Sequence, residues 1–258
     1  MERIYFRKDG HLGIVAFNRP DKYNSFTREL ALETQAALDR CRDDTEIRAV
    51  LLTGVGQAFS AGQDLQEVIA AGGPSFEQIL LEHLNPIVEK IMHMEKPVLA
   101  AVNGVAAGAG ANIALACDIV IAAESAQFIQ AFSKIGLIPD SGGSFLLPRL
   151  IGWQRASALM MLGEPVSAKD AEAMGMIYKA LPEEGFLEAA TEMGRKLAAM
   201  PTLGLALTKK ALQASAHNDL AAQLALEEQL QTRAGQTHDY KEGVQAFLEK
   251  RQPEFKGH

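Results

Sequence analysis

The fold of this chain is decided by the stretch Val98-Leu-Ala-Ala-Val102-Asn103-Gly-Val-Ala-Ala-Gly108-Ala-Gly-Ala-Asn112. It begins as an apolar run and continues into glycines and alanines, and no charged residue occurs from Pro97 to Cys117. The run is long enough for a membrane span, but asparagines and glycines interrupt it and Asp118 closes it. The stretch therefore predicts a buried strand, a tight turn and a helix of small residues.

Strands and helices alternate on both sides of this stretch. The predicted strands are 3–7 and 12–18, joined by a hairpin at Asp9-Gly10, then 49–53, 98–102 and 119–122. The predicted helices are 27–42, with Ser25 or Thr27 as its cap, 76–93 and 108–116. Because right-handed crossovers stack parallel strands into sheets with helices outside, this order predicts an α/β fold of layered sheets.

The pattern changes after residue 140. Helices are predicted at 155–162, 168–174 and 186–200, with one strand at 177–181. Pro201 marks a boundary, and only helices follow, ending in an amphipathic segment at 240–250. We expect a core over 1–200 and a helical region over 201–258, which packs either on another subunit or on its own core.

Composition narrows the class of protein. The chain has 258 residues, 48% of them hydrophobic, a net charge of -7 and no cluster of lysines and arginines. These features disfavour a nucleic acid or an anionic membrane as the partner and favour a small metabolite. The charged start is unlike a signal peptide, so we expect a cytoplasmic protein.

Cysteines and histidines indicate no metal chemistry. Cys41 and Cys117 have neither a CxxC nor a ligand spacing and are typical of buried free thiols in a reducing compartment. The six histidines form no metal motif, and none is next to a serine or cysteine nucleophile in the sequence. We therefore expect no metal.

One carboxylate stands out. The segment Ile135-Gly-Leu-Ile-Pro-Asp140-Ser-Gly-Gly143 places Asp140 after a proline and before a glycine pair in apolar surroundings, which makes it a candidate proton carrier. The turns at 59–65 and 103–112 are rich in small residues, so their N–H groups have the access needed to clamp one oxygen. The plainer alternatives are a capping or turn role for Asp140 and tight helix packing for the glycines.

Several motifs occur together in this order. They are Asn18-Arg-Pro-Asp-Lys-Tyr-Asn24, Phe59-Ser-Ala-Gly-Gln-Asp64, Lys96-Pro97, Ala101-Val-Asn-Gly104, Cys117-Asp118-Ile, Gly136-Leu-Ile-Pro-Asp140-Ser-Gly-Gly143, Leu147-Pro-Arg149 and Phe247-Leu-Glu-Lys250-Arg. Over nearly the whole chain they resemble the enoyl-CoA hydratase/isomerase family, also called the crotonase superfamily. The resemblance implies a spiral of ββα units followed by a trimerising helical region, in a homotrimer or a dimer of trimers.

The same resemblance implies an acyl-CoA substrate and no separate cofactor, since coenzyme A is part of that substrate. The thioester oxygen would lie between the backbone N–H groups of Gln63 and Ala109, an oxyanion hole that stabilises an enolate. Further substrate contacts are implied for Ala61, Asp64, Leu65 and Phe132. Lys22 would lie near the CoA phosphates, and Phe247 and Lys250 would reach the adenosine bound by a neighbouring subunit.

The chain departs from the hydratases of this family at their two catalytic glutamates. Asn112 and Phe132 stand at those positions, and neither side chain acts as a general base at neutral pH. Asp140 stands where hydratases usually carry glycine. One carboxylate suffices for an isomerase, because the same group removes a proton from C2 and returns it to C4. Phe132 would supply an apolar wall that raises the pKa of a nearby carboxylate and excludes water.

Within the family, this combination is similar to the ring-epoxide isomerases of phenylacetate degradation. We therefore expect an acyl-CoA isomerase that converts 1,2-epoxyphenylacetyl-CoA to oxepin-CoA and 3-enoyl-CoA to 2-enoyl-CoA, with Asp140 as acid and base. The alternatives are a 3-enoyl-CoA isomerase of fatty-acid oxidation, a hydratase, a dehalogenase with Asp140 as nucleophile, and a non-catalytic CoA-binding or RNA-binding homologue. Residues 66–84 are expected to line the acyl pocket. Because the sequence does not give the path of this loop and helix, it does not identify the acyl group.

Overall fold

The computed structural model describes residues 2–258, which form two sheets and a set of helices. The strands are β1 (Ile4–Asp9), β2 (Leu12–Phe17), β3 (Ala49–Gly54), β4 (Ala58–Ser60), β5 (Val98–Val102), β6 (Val105–Ala107), β7 (Ile119–Ala123), β8 (Gln127–Ile129), β9 (Pro165–Ser167) and β10 (Lys179–Leu181). The helices are α1 (Arg28–Asp43), α2 (Leu65–Ile69), α3 (Phe76–Gln78), α4 (Asn85–His93), α5 (Ala109–Leu115), α6 (Gly143–Ile151), α7 (Trp153–Leu162), α8 (Ala168–Ala173), α9 (Phe186–Ala199), α10 (Thr202–Ser215), α11 (Leu220–Ala234) and α12 (His238–Glu249). A π-helical segment at Ile79–Leu84 joins α3 to α4, and 3₁₀ turns occupy Pro20–Lys22 and Ala131–Ile135.

The larger sheet has the order β1-β2-β3-β5-β7-β10, with β1 and β2 antiparallel and the later neighbours parallel. The smaller sheet has the order β4-β6-β8-β9 and is parallel except for its last pair. From β3 to β8 successive strands alternate between the two sheets, and a helix follows β4 and β6, which gives the spiral of ββα units. The predicted α/β class is confirmed.

The core fills both faces of the larger sheet. Phe17, Phe26 and Phe59 form edge-to-face aromatic pairs on one face, with ring centroids 5.2 Å apart. The opposite face packs against α9 through Phe186 and Ala190. Strands β2, β3 and β5 are buried along their whole length, as is typical of parallel strands covered on both sides.

Most predicted elements are confirmed to within a few residues. The hairpin at Asp9-Gly10 joins β1 and β2, and Thr27 caps α1 by accepting a hydrogen bond from the Leu30 N–H. The strand predicted at 98–102 has those bounds. Three helices follow Pro201, but the division into a core at 1–200 and a separate region at 201–258 stays a prediction.

Three features differ from the prediction. Strands β4 and β6 overlap segments predicted as turns, and β8 and β9 were not predicted, because three-residue strands lack a periodic signal. The helix predicted at 76–93 contains the π-helical segment. Helix α6 was not predicted, because it starts at a glycine pair and contains Pro148, two features that usually argue against a helix. Within residues 2–258, no helix combines the length and the apolar character that crossing a membrane requires.

Substitution of Gly110 tests the close contact between α5 and β4. A Cβ atom on Gly110 in α5 would overlap the backbone carbonyl oxygen of Ser60 in β4, and a backbone atom has little room to move. We expect Gly110→Ala to lower the free energy of unfolding by about 1–3 kcal/mol, measured by urea denaturation.

Gly204→Ala is the matched control. Gly204 lies in α10, where the nearest atom to an added Cβ is 3.7 Å away on Pro201, and alanine favours a helix over glycine. We expect this variant to be as stable as the wild type or more so. If Gly110→Ala and Gly204→Ala had the same free energy of unfolding, close packing of α5 on β4 would be contradicted.

Candidate active site

The candidate site lies at one edge of the smaller sheet. Parallel neighbours β4, β6 and β8 end at Ser60, Ala107 and Ile129, so the segments that follow them start side by side. These segments carry Gln63, Ala109 and Phe132. The topology therefore brings together three residues that are far apart in sequence.

Two glycines allow the first two loops to touch. Gly62 has φ +84°, and a Cβ atom there would lie 2.7 Å from the Ala107 carbonyl oxygen and 3.2 Å from the Ala109 nitrogen. Gly108 has φ +53° and directly precedes α5. Both positions need a left-handed backbone, and the close approach at Gly62 also excludes a side chain. The Gln63 and Ala109 loops are therefore in direct contact.

The backbone N–H groups of Gln63 and Ala109 have no hydrogen-bond acceptor among residues 2–258. Ala109 is the first residue of α5, so its N–H points away from the helix and carries part of the positive end of the dipole. Two free donors on touching loops are what an oxyanion requires. The assignment of these amides to an oxyanion hole stays a prediction.

A buried ion pair anchors the Gln63 loop. The Arg19 guanidinium donates to the Asp64 carboxylate at 2.6 Å and to the Ser25 hydroxyl at 2.8 Å. Asp64 also caps α2 by accepting from the Gln66 N–H. Burial opposes ionisation of Asp64, but the hydrogen bonds from Arg19 and the main chain outweigh it and lower its pKa. The Asp64 carboxylate thus holds the loop in place, and its predicted contact with substrate stays a prediction.

Asn24 ties the segment around Lys22 to the same region. It is fully buried with φ +54°, and its side-chain amide donates to the carbonyl oxygens of Val55 at 3.0 Å and Ala58 at 2.7 Å. Its own carbonyl accepts from the Ser60 hydroxyl. These bonds fix the end of the Asn18–Asn24 motif against β4.

The Asp140 main chain is held by α5. The buried Asn112 side chain donates to the Asp140 carbonyl oxygen at 2.8 Å and accepts from Gln130 at 2.8 Å. The Gly143 N–H donates to the same carbonyl at 2.9 Å. Asn112 is three residues after Ala109, about one helical turn or ~4.5 Å along α5. The Asp140 main chain is therefore held about one helical turn from the free Ala109 N–H.

The Asp140 carboxyl is half-buried. Burial raises its pKa above the usual aspartate value, whereas a hydrogen bond from the Ser141 hydroxyl at 2.9 Å opposes that rise. Ser141 has φ +50°, a conformation that non-glycine residues seldom adopt and that is frequent at functional sites. A half-buried carboxyl with a raised pKa is a stronger base when ionised, which suits it to proton transfer.

Phe132 closes the apolar side of the site. It is 6% exposed and lies in the 3₁₀ turn after β8, and its ring is 3.7 Å from the position of a Cβ atom on Gly108. The ring is thus beside the start of α5. The role predicted for this ring, an apolar wall beside the carboxylate and the substrate, stays a prediction.

The other predicted site residues lie further out. Ala61 and Leu65 are exposed on the loop that carries Gln63, and the Lys22 ammonium donates to the Gln66 side chain at 3.4 Å. Phe247 is 82% exposed and Lys250 ends α12. Their predicted contact with the adenosine bound by a neighbouring subunit stays a prediction.

Sequence reasoning missed Gln130, Arg19 and Asn24 as supports of the site. Arg19 and Asn24 lie inside the quoted Asn18–Asn24 motif, so the motif marked them without giving their partners. Gln130 follows a strand too short to be predicted, and its contact with Asn112 joins two parts of the chain that only the fold brings together.

Comparison with known proteins agrees with this architecture. Residues 7–258 match the family model for enoyl-CoA hydratase/isomerase. The chain is 45% identical over 260 residues to 1,2-epoxyphenylacetyl-CoA isomerase of Escherichia coli (strain K12), covering 100% of this chain and 99% of that protein. It is 47% identical over 246 residues to a Rhodobacter capsulatus protein named "Probable enoyl-CoA hydratase", with 95% of each covered.

A solved structure shows the same fold. The crystal structure of an enoyl-CoA hydratase from Bacillus anthracis superposes with a TM-score of 0.92 at 35% identity, covering 99% of this chain and 100% of that one. The chain belongs to the enoyl-CoA hydratase/isomerase family. Its resemblance to this family in sequence motifs is confirmed.

The Ser141 hydroxyl gives a test of the Asp140 environment. Its hydrogen bond favours the ionised carboxylate, so its removal in Ser141→Ala should raise the pKa of Asp140 further. The carboxyl carbon of Asp140, followed by ¹³C NMR during a pH titration, measures this shift.

Ser215→Ala is the matched control, because its hydroxyl donates to the Leu212 carbonyl on the exposed helix α10 and touches no carboxylate. We expect it to leave the titration of Asp140 unchanged. A lower pKa of Asp140 in Ser141→Ala than in the wild type would show that the hydrogen bond does not stabilise the ionised form.

Proposed function

We propose that this protein is an acyl-CoA isomerase in which Asp140 moves a proton between two carbons of the acyl group. The observation that carries the proposal is the half-buried Asp140 carboxyl, whose main chain is fixed by Asn112 one turn from the free Ala109 N–H. Raised basicity and a fixed position are what an acid-base group requires.

The proposed reaction starts with the thioester oxygen between the N–H groups of Gln63 and Ala109. The Asp140 carboxylate removes a proton from C2, and the electron pair passes into the carbonyl to give an enolate oxygen that the two donors stabilise. The neutral Asp140 carboxyl then returns the same proton at C4, and the double bond moves from the 3-position to the 2-position. No atom is gained or lost, so neither water nor a further cofactor takes part.

For the acyl group we propose 1,2-epoxyphenylacetyl-CoA, converted to oxepin-CoA, together with linear 3-enoyl-CoA thioesters. The name of the Escherichia coli relative supports this choice over a 3-enoyl-CoA isomerase of fatty-acid oxidation. The two differ in the acyl pocket, and relative turnover of the ring epoxide and of 3-hexenoyl-CoA distinguishes them.

Hydration of 2-enoyl-CoA is a second candidate, favoured by the name of the Rhodobacter capsulatus relative. Both polar groups of the Asn112 amide are engaged, by Gln130 and by the Asp140 carbonyl, which leaves Asn112 unsuited to activating water. Phe132 has no polar group. Loss of absorbance at the enoyl thioester band on mixing the wild type with 2-hexenoyl-CoA would favour the hydratase.

Asp140→Asn tests the proposed role directly. The amide cannot accept the C2 proton, so we expect kcat for 3-hexenoyl-CoA to fall by about 10²–10⁴-fold with KM nearly unchanged. Conversion to the conjugated 2-enoyl thioester is followed by its ultraviolet absorbance.

Asp43→Asn is the control for this change, since Asp43 is exposed on α1 and pairs only with Arg42. It should retain full activity. Wild-type rates in Asp140→Asn would defeat the assignment of Asp140 as the proton carrier.

We further propose that the protein assembles as a homotrimer or a dimer of trimers, in which Phe247 and Lys250 reach the adenosine part of CoA on a neighbouring subunit. The support is the exposure of Phe247 and of other apolar residues on α12, Tyr240 and Leu248 among them. Such apolar surface is typical of a face that packs on a partner.

Phe247→Ser should therefore raise KM for the full acyl-CoA about tenfold and leave KM for the matching acyl-pantetheine unchanged, because the truncated substrate lacks adenosine. Light scattering during gel filtration shows whether the variant keeps the assembly of the wild type. An equal rise in KM for both substrates with the assembly intact would rule out contact with adenosine.

A further inference from the structure

A polar cluster lies where the acyl pocket is expected. The Gln63 side chain donates to Glu67 on α2, and the Glu67 charge acts on His83 of the π-helical segment, so we call these three residues the Gln63–Glu67–His83 cluster. His83 is 1% exposed, and neither of its ring nitrogens has a hydrogen-bond partner among residues 2–258. The Gln63 side-chain oxygen Oε1 is also buried and unpartnered there. Buried polar atoms without partners are rare and costly in native proteins.

The Glu67 carboxylate is fixed by hydrogen bonds from two neighbouring residues. It accepts from the Gln63 side-chain amide at 3.2 Å, and from the Arg28 N–H at 3.0 and 3.2 Å at the start of α1. The Gln63 side chain is thus turned toward Glu67 through its nitrogen, which leaves its oxygen free. The Glu67 charge is fixed at a helix N-terminus that favours it.

His83 is neutral at physiological pH. Burial lowers its pKa and outweighs the opposing effect of Glu67 and Glu82, while Arg28 lowers it further. A neutral imidazole offers one N–H donor and one acceptor. The cluster therefore presents an unused donor from the ring and an unused acceptor from Gln63, beside a fixed negative charge.

The π-helical segment accounts for the inward position of His83. The Gln35 side chain on α1 donates to the carbonyl oxygens of Glu82 at 2.8 Å and His83 at 3.0 Å, and so holds the widened turn. Single π-helical turns inside helices are frequent at functional sites. The neighbours Ile79 and Leu84 are buried and apolar, so His83 is a polar side chain among buried apolar residues of this segment.

We propose that the Gln63–Glu67–His83 cluster is a subsite for a neutral oxygen atom on the acyl group, such as a hydroxyl or a cyclic ether. This inference rests on the proposed function, in which the Gln63 N–H holds the thioester oxygen and its side chain extends toward the acyl group. The His83 N–H donates to the substrate oxygen, and Gln63 Oε1 accepts where that oxygen carries a proton. A plain hydrocarbon leaves both groups unpaired, and a carboxylate is repelled by Glu67.

Binding of saturated thioesters tests the subsite without turnover. The probes are hexanoyl-CoA, 5-hydroxyhexanoyl-CoA, 6-hydroxyhexanoyl-CoA and the carboxylate-bearing adipoyl-CoA, measured by titration calorimetry. We expect the wild type to bind one hydroxylated thioester about tenfold or more tightly than hexanoyl-CoA and to bind adipoyl-CoA most weakly. His83→Phe should remove the preference for the hydroxyl and leave hexanoyl-CoA bound as tightly or more tightly.

The controls separate recognition from folding. His93→Phe makes the same change at the exposed end of α4 and should keep the wild-type preference. Glu67→Gln keeps the shape of the side chain but removes its charge, so it should reduce the difference in affinity between adipoyl-CoA and hexanoyl-CoA. Equal weakening of all probes by His83→Phe, or no hydroxyl preference in the wild type, would overturn the subsite.

The two proposals fail in different ways. Turnover of 3-hexenoyl-CoA by Asp140→Asn at the wild-type rate would contradict the proposed function but not the proposed binding preference. The subsite alone would be contradicted if turnover required Asp140 but the wild type bound hexanoyl-CoA as tightly as the hydroxylated thioesters.

Discussion

Parallel pairing of β4, β6 and β8 is the constraint on which the candidate site depends. Each strand has only three residues, too few to be stable alone, and the sheet persists because Phe59 and Phe128 are buried against the larger sheet. Since parallel strands end at one edge, every segment that leaves the sheet starts beside its neighbour. A one-residue slip in β6 would reverse its faces and move the N-terminus of α5 away from the Gln63 loop.

The second requirement is that the loops keep their shape after leaving the strands. Arg19 and Asp64 pair with little solvent around them, and each has further hydrogen bonds that compensate for burial of the charge. Asn24 satisfies backbone carbonyls that the β3–β4 turn leaves free. The N–H groups of Gln63 and Ala109 have no acceptor among residues 2–258, and the hydrogen bonds around them hold the two loops in the conformation that presents these donors.

Much of the fold followed from local physical signals, and much of the site did not. Apolar runs and the hairpin at Asp9-Gly10 identified the larger sheet, because strands buried on both faces read as continuous hydrophobic segments. The smaller sheet was missed, since each of its strands has only three residues. The position of Asp140 in a glycine-rich turn marked it as a candidate, but its support by Asn112 joins residues 28 apart and depends on the fold. His83 looked like any helical residue, because the sequence carries no signal for a π-helical turn.

Asp140 shows how position and chemistry are divided between two residues at this site. Asn112 has no titratable group, so its amide fixes the Asp140 main chain at every pH without competing for the proton. Partial burial raises the basicity of the carboxylate, and the hydrogen bond from the Ser141 hydroxyl limits that rise. A carboxyl that is too buried would stay protonated and remove no proton, whereas one fully solvated would be a weak base. The left-handed Ser141, held in that conformation by the turn, is what sets the balance between these two effects.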